Sequence, residues 1–194
     1  MTRLAGVNDD DAAVATKIAY YFMKRHFKKL TGHESEAMLE PVRLLAHVPK
    51  LLSGYGKLEQ AVAKVHLVEL RHRALAELKA ATTVRCEYCI DLGSRIARDW
   101  GLTDADLRAL PNYRSASCFS DVDKLVLDLA AGMSRTPVDV GDELLEALSR
   151  HFDAPQLVEL THIIALENLR ARFNLALDIG SAGFSEGMVC ALPG

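Results

Sequence analysis

Apolar side chains in this chain recur at intervals of three and four, and almost nowhere in alternation. Ala15, Ala19, Phe22, Met23, Phe27 and Leu30 predict an amphipathic helix over 11–30. Its other side carries Lys24, Arg25, Lys28 and Lys29, which read first as a solvated face and second as a patch for an acidic partner or membrane surface. Glu40-Pro41 and Val48-Pro49 bracket a short apolar segment, because the residue before a proline is pushed away from helix. Leu58, Val62, Val65, Val68, Leu75 and Leu78 predict one long helix over 57–82. After a break at Thr82-Thr83, another starts near Cys86 and closes at Gly101. Thr103 with Asp106 opens a short helix that Pro111 ends, and 111–120 is a loop. Ser120 with Asp123 opens the next, bearing Val122, Leu125, Val126, Leu129 and Met133; Thr136-Pro137 is a turn, and Leu144, Leu145 and Leu148 mark a further helix. Asp153-Ala154-Pro155 starts a last helix to about Ile179 that is apolar on more than one face. No convincing alternating strand interrupts the series, so the fold class is all-α, a single-domain helical bundle.

Composition excludes several classes. At 194 residues, with 49% hydrophobic and 25% charged residues, the chain can bury a sizeable core. A net charge of −3 argues against a nucleic-acid partner. No apolar run approaches about 18 residues, so no membrane span is expected. The start, Met1-Thr-Arg-Leu-Ala-Gly, has no secretory h-region, and Asp9, Asp10 and Asp11 follow at once. Four cysteines in a chain of this length do not form a disulfide scaffold, so a cytoplasmic protein with thiols reduced at rest is expected.

The chemistry concentrates in R-C-E-Y-C-I-D-L-G-S, which places Cys86 and Cys89 three apart at a helix start. Zinc would need a second ligand pair, and Cys118 and Cys190 are single and distant. Covalent haem attachment would need a histidine where Ile90 stands, and a thioredoxin-like site would need a βαβ setting, so neither metal nor cofactor is expected. A dithiol fits better: the spacing lets the sulfurs close a disulfide, and helix N-terminal N–H groups and Arg85 favour thiolate, opposed by Glu87. Two small buried cysteines remain the alternative, since Cys86, Cys89, Gly93, Ile96, Ala97 and Trp100 share one face. Gly93 marks either a close helix approach or room for a ligand, and packing is the plainer choice.

Two internal echoes stand out. Leu67-Val68-Glu69-Leu70-Arg71-His72 recurs as Leu157-Val158-Glu159-Leu160-Thr161-His162, and Asp91-Leu92-Gly93-Ser94 as Asp178-Ile179-Gly180-Ser181. Their offsets differ, and chance explains them better than a repeat of helical hairpins.

The run E-x-L-K-A-A-T-T-V-R-C-E-Y-C-I-D-L-G-S, followed by R-D-W-G-L-T-D-A-D-L, resembles the carboxymuconolactone decarboxylase superfamily in its alkylhydroperoxidase D-like branch. So do H-V-P-K-L-L-S-G-Y, F-S-D-V-D-K-L-V-L-D-L-A and L-V-E-L-T-H-I-I-A-L-E-N-L-R-A-R-F-N. The resemblance covers roughly 40 to 185 and divides the chain into an N-terminal helical extension, 1–40, and the family domain, 41–194. It implies an all-helical homo-oligomer whose dithiol reduces a hydroperoxide or exchanges with a partner disulfide, Cys89 attacking and Cys86 resolving, with a protein or small thiol as reductant. The family's proton relay is missing at every matching position: Ala74 stands where a glutamate would, Gly93 and Tyr88 where histidines would.

Substitutes can be named. Glu77 lies one turn closer to the cysteines than Ala74, though a solvated carboxylate is the plainer reading; His72 reads as a core histidine. Asp91 points away from Cys89 and suggests a helix-end or interface role. His162, Glu167 and Asn168 lie on the most buried helix, where Asn168 must find hydrogen-bond partners. Two further readings of the same scaffold are a non-catalytic or redox-sensing oligomer and a lactone decarboxylase.

Overall fold

The structure is a computed structural model and describes residues 2–191; Met1 of the leader reading and 192–194 of the family domain lie outside it. Among the described residues nine α-helices and no strands occur. They are α1 (Val14–Thr31), α2 (Glu40–Leu45), α3 (Pro49–Val62), α4 (Leu70–Val84), α5 (Glu87–Asp99), α6 (Asp104–Ala109), α7 (Asp121–Met133), α8 (Asp142–Ser149) and α9 (Ala154–Ala176). The all-α expectation holds. No described helix is long and apolar enough to cross a membrane.

α4 is the hub, packed against α5, α7 and α9. Its Ala74, Ala76, Ala80 and Ala81 are buried, and such small side chains let three neighbours approach one helix. The boundaries of α6, α7 and α9 follow their capping boxes: Thr103 with Asp106, Ser120 with Asp123, and Asp153 with Gln156 each satisfy N-terminal N–H groups reciprocally. Gly93 packs: a Cβ there would lie 3.2 Å from Leu78 Cδ1 on α4.

Four expectations need correction. The single helix over 57–82 is two, α3 and α4, joined by 63–69. The break is held from a distance. Glu159 on α9 accepts the N–H groups of Leu67 (2.8 Å) and Val68 (3.0 Å), and Arg73 donates to the carbonyls of Val62 (3.2 Å) and Val65 (3.1 Å). Backbone groups that a continuous helix would pair are thus satisfied by side chains. Glu40 is helical although it precedes Pro41, because Pro41 sits in the first turn of α2, where its missing N–H is not needed. In α1 the buried residues are Thr16, Tyr20 and Phe27, while Phe22 points outward at 62% exposure. α9 ends at Ala176, not near Ile179.

The echoes are not a structural repeat. Leu67–Glu69 precede α4 whereas Leu157–His162 lie within α9; Asp91 is inside α5 whereas Asp178 follows α9 at φ 60°.

Asp91 binds the chain's far end. Its Oδ2 accepts from Ser181 Oγ (2.7 Å) and the N–H groups of Ala182 (2.9 Å), Gly183 (2.7 Å) and Phe184 (3.0 Å). Its Oδ1 accepts from Ser185 N–H (2.7 Å) and Oγ (2.6 Å). Burial alone would raise this carboxyl, but the six donors outweigh it and hold it below its ordinary value. The C-terminal strap so fixed runs on to Ala191, whose N–H reaches Ser94 Oγ at 3.0 Å, and seats Phe184 edge-on against Tyr88 and Phe27.

Candidate active site

The turn from α4 into α5 sets the cysteines. Arg85 takes the left-handed conformation (φ 60°, ψ 40°), which ends α4, and Cys86 N–H bonds back to Ala81 O at 3.1 Å. Cys86 is therefore the N-cap of α5, and its sulfur accepts the N–H of Cys89 at 3.3 Å. The two sulfurs lie 2.6 Å apart as free thiols. Cys86 is fully buried and Cys89 is 7% exposed.

From α9 the Asn174 amide donates to both sulfurs, at 3.7 Å to Cys86 and 3.5 Å to Cys89. The hydrogen bond from Cys89 pulls the Cys86 thiol down, against burial, with further help from Cys89 N–H and Asn174. The same pairing and burial push Cys89 up. The pair sheds its first proton readily, because the remaining proton bridges two sulfurs, and holds the second tightly.

A charged cluster adjoins the thiols. Glu167, two turns before Asn174 on the buried side of α9, lies near enough to Cys89 for the two to influence each other's protonation, and it accepts Arg170 Nη1 at 2.9 Å. Arg170 grips both oxygens of Glu59, at 2.8 and 2.6 Å. Glu77 accepts Arg73 Nε at 3.3 Å, and Arg73 also approaches Glu159 Oε1 at 3.6 Å. Burial pushes the Glu167 carboxyl up to about 7 despite Arg170. Burial raises Glu77 too. Glu59, although burial opposes it, is held low by Arg170. Tyr55 completes the cluster, with its hydroxyl driven up by burial.

The structure thus brings Cys86, Cys89, Glu167 and Glu77 together. Glu77 is not a solvated carboxylate: its side chain is 18% exposed and paired to Arg73. His162 is exposed and does not face the thiols, and Asn168 is satisfied by Ser134 Oγ and Ile164 O, both at 2.9 Å. His72 is mostly buried, edge-on to Phe152 and 3.4 Å from Asp123, away from the cysteines. Tyr88 donates to Met38 O at 2.6 Å, so its hydroxyl serves packing. Sequence reasoning did not single out Asn174, Arg170, Glu59 or Tyr55. The available signal was a charged and amide-bearing side of the otherwise apolar last helix, at Glu167, Arg170 and Asn174. Among the described residues no group of three His, Cys, Asp or Glu is arranged to hold a metal ion.

An all-α bundle with a C-x-x-C pair at a helix start defines an alkylhydroperoxidase D-like scaffold. The carboxymuconolactone decarboxylase family model matches residues 49–131. YnjA of Escherichia coli (strain K12) is 37% identical over 161 residues, spanning 80% of this chain and 84% of YnjA. This chain belongs to the carboxymuconolactone decarboxylase family. YdfG of Bacillus subtilis (strain 168) is 28% identical over 106 residues, 54% of this chain and 72% of YdfG. Two solved structures share the fold. The alkylhydroperoxidase AhpD core of a peroxidase-related protein from Ralstonia eutropha JMP134 superposes with TM-score 0.74 at 17% identity, covering 92% of that chain and 93% of this one. A cysteine-to-alanine variant of the debrominase Bmp8, in complex with 2,3,4-tribromopyrrole, superposes with TM-score 0.75 at 16% identity, covering 91% of that chain and 92% of this one.

Proposed function

We propose that the protein is a dithiol hydroperoxidase in which Cys89 attacks and Cys86 resolves. The observation that carries this reading is the pair of sulfurs 2.6 Å apart at the start of α5, with Asn174 donating to both. Cys89 is the sulfur with residual exposure and the one beside Glu167, so peroxide meets it first. Once the proton shared by the two sulfurs has passed to Cys86, the Cys89 thiolate forms a bond to a peroxide oxygen, the O–O bond breaks, and the departing alkoxide takes a proton. Cys86 then attacks the Cys89 sulfenic acid, forming the disulfide and releasing water. Two thiols and one hydroperoxide give one disulfide, one alcohol and one water. An external dithiol, protein or small molecule, returns the pair to the reduced state. Apolar side chains left outward on α1 (Val14, Ile18, Tyr21, Phe22) and α9 (Val158, Leu169) fit a homo-oligomer.

The test is consumption of cumene hydroperoxide by the reduced protein, with dithiothreitol as donor. The wild type is expected to turn over and end as a Cys86–Cys89 disulfide. With the donor left out, Cys86→Ala should consume one equivalent and stop at a sulfenic acid on Cys89, whereas Cys89→Ala should be inert. Peroxide-resistant wild-type thiols would leave the non-catalytic reading in place.

A further inference from the structure

The side of the dithiol that faces α3, α4 and α9 holds more acid than its cations can balance. Glu59, Glu77, Glu159 and Glu167 gather there, and among the described residues their ion pairs run to two guanidiniums, Arg73 and Arg170. With every carboxyl ionised, two negative charges would stand uncompensated among side chains from 4% to 32% exposed. Burial makes that expensive, and the ordinary relief is to retain a proton. Glu59 is the wrong holder, because both its oxygens accept from Arg170. Glu159 is occupied elsewhere, its Oε2 accepting the N–H groups of Leu67 and Val68 at the α3–α4 junction. Glu77 and Glu167 remain, on α4 and α9, each bound by one guanidinium nitrogen.

Resting on the dithiol reading above, we propose that Glu77 and Glu167 hold one proton between them beside the thiols, and that Glu167 is the catalytic acid–base that exchanges a proton with Cys89. The titratable and charged groups of the cluster around Glu167 are Tyr55 and Glu59 on α3, joined to it through Arg170, Glu77 with its partner Arg73 on α4, Cys86 and Cys89 on α5, and Arg170 on its own helix. Once that shared proton has left, the Glu167 carboxylate is free to take the Cys89 thiol proton. Cys89 thiolate then attacks the peroxide, the S–O bond forms as the O–O bond breaks, and Glu167 returns the proton to the departing alkoxide. Both carboxyls end as they began. Burial and the neighbouring Glu77 charge tune Glu167 to about 7, where a group both accepts and donates near neutral pH. This arrangement takes the place of the relay that Ala74, Tyr88 and Gly93 cannot supply.

Glu167→Gln and Glu77→Gln test it, each keeping shape and removing charge. The rates of peroxide reaction and of Cys89 alkylation are followed across pH. The wild type should show a break near pH 7. Glu167→Gln should lose that break and react about 10²-fold more slowly at neutral pH. Glu77→Gln should move the break to lower pH, since the like charge raising Glu167 is gone. Infrared spectra should show a protonated carboxyl C=O band in the wild type that titrates near pH 7, and that titration should change in Glu167→Gln, where Glu77 alone can hold the proton. A Glu167→Gln protein with wild-type rate and pH profile overturns the acid–base role while the dithiol reading stands. A wild type inert to peroxide sinks the dithiol reading; the titrating carboxyl band then decides the proton store alone, and its absence refutes that too.

Discussion

Replacing Asp91 by Asn should be among the most damaging single changes outside the hydrophobic core. Asp91 is 2% exposed and accepts six hydrogen bonds, four on Oδ2 and two on Oδ1. An asparagine keeps the outline but has one acceptor. Its better orientation leaves the oxygen toward Ser181, Ala182, Gly183 and Phe184 and turns the amide toward Ser185. The Ser185 hydroxyl can rotate to accept, but the Ser185 N–H, 2.7 Å from the replaced oxygen, then faces another donor. Bonds to a charged acceptor contribute roughly 1.5–3 kcal/mol each. They do not add, because all converge on one group. Removing one side of a buried charged contact costs about 3–5 kcal/mol, and that is the expected loss for Asp91→Asn. Since small domains have about 5–15 kcal/mol in all, the variant should unfold at clearly lower urea. Limited proteolysis should cut first within 179–191, where the strap leaves α5. A midpoint corresponding to less than about 1 kcal/mol of change, with an unaltered cleavage pattern, would refute the account of Asp91 as the anchor of the strap.

Stability should fall as pH rises from 4.5 to about 7, because Glu167 is raised in the fold. Its contribution is full below 4.5 and lost through its folded value, a loss of about 3 kcal/mol before relaxation; urea titrations at pH 5 and pH 8 measure it, and Glu167→Gln should flatten the difference. Asp91 acts oppositely: its carboxyl is lowered, so its contribution is present above 3.8 and disappears on acidification through its folded value. Glu159→Ala orphans the N–H groups of Leu67 and Val68 and should destabilise by about 2–4 kcal/mol, with faster hydrogen exchange confined to 63–69. Gly93→Ala should lie within about 1 kcal/mol of wild type by thermal melting, since the helix-propensity gain offsets a shift of the Leu78 side-chain tip.

The fold was legible where local rules decide it. The capping boxes at Thr103 and Ser120 named their helices correctly, and the C-x-x-C lies at a helix start as its setting suggested. Illegible features depend on residues far away in the chain. Nothing in Leu58 to Leu78 announces a break, because the break is stabilised by Glu159, about ninety residues on. Glu77 looks solvated by composition, and only Arg73 and the covering of α3 and α9 make it a buried acid. Phe22 fits an apolar stripe by spacing yet faces out, since the stripe of α1 turns toward Tyr20 and Phe27. Of the residues proposed for function, the cysteines were readable by motif. Glu167 could be named as a candidate but not placed, and Asn174 could not be chosen over Asn168 without the rotation of α9.

One helix of 23 residues, α9, delivers the amide to the sulfurs, a carboxyl to the neighbourhood of Cys89, the guanidinium to Glu59 and the clamp to Leu67 and Val68. These groups cannot be adjusted one at a time by loop motion. A displacement of the rod by an ångström or so would loosen the sulfur contacts and the acid contact together, and would pull on the α3–α4 junction as well. How readily the thiols react is therefore set by the seating of a helix that contains neither of them.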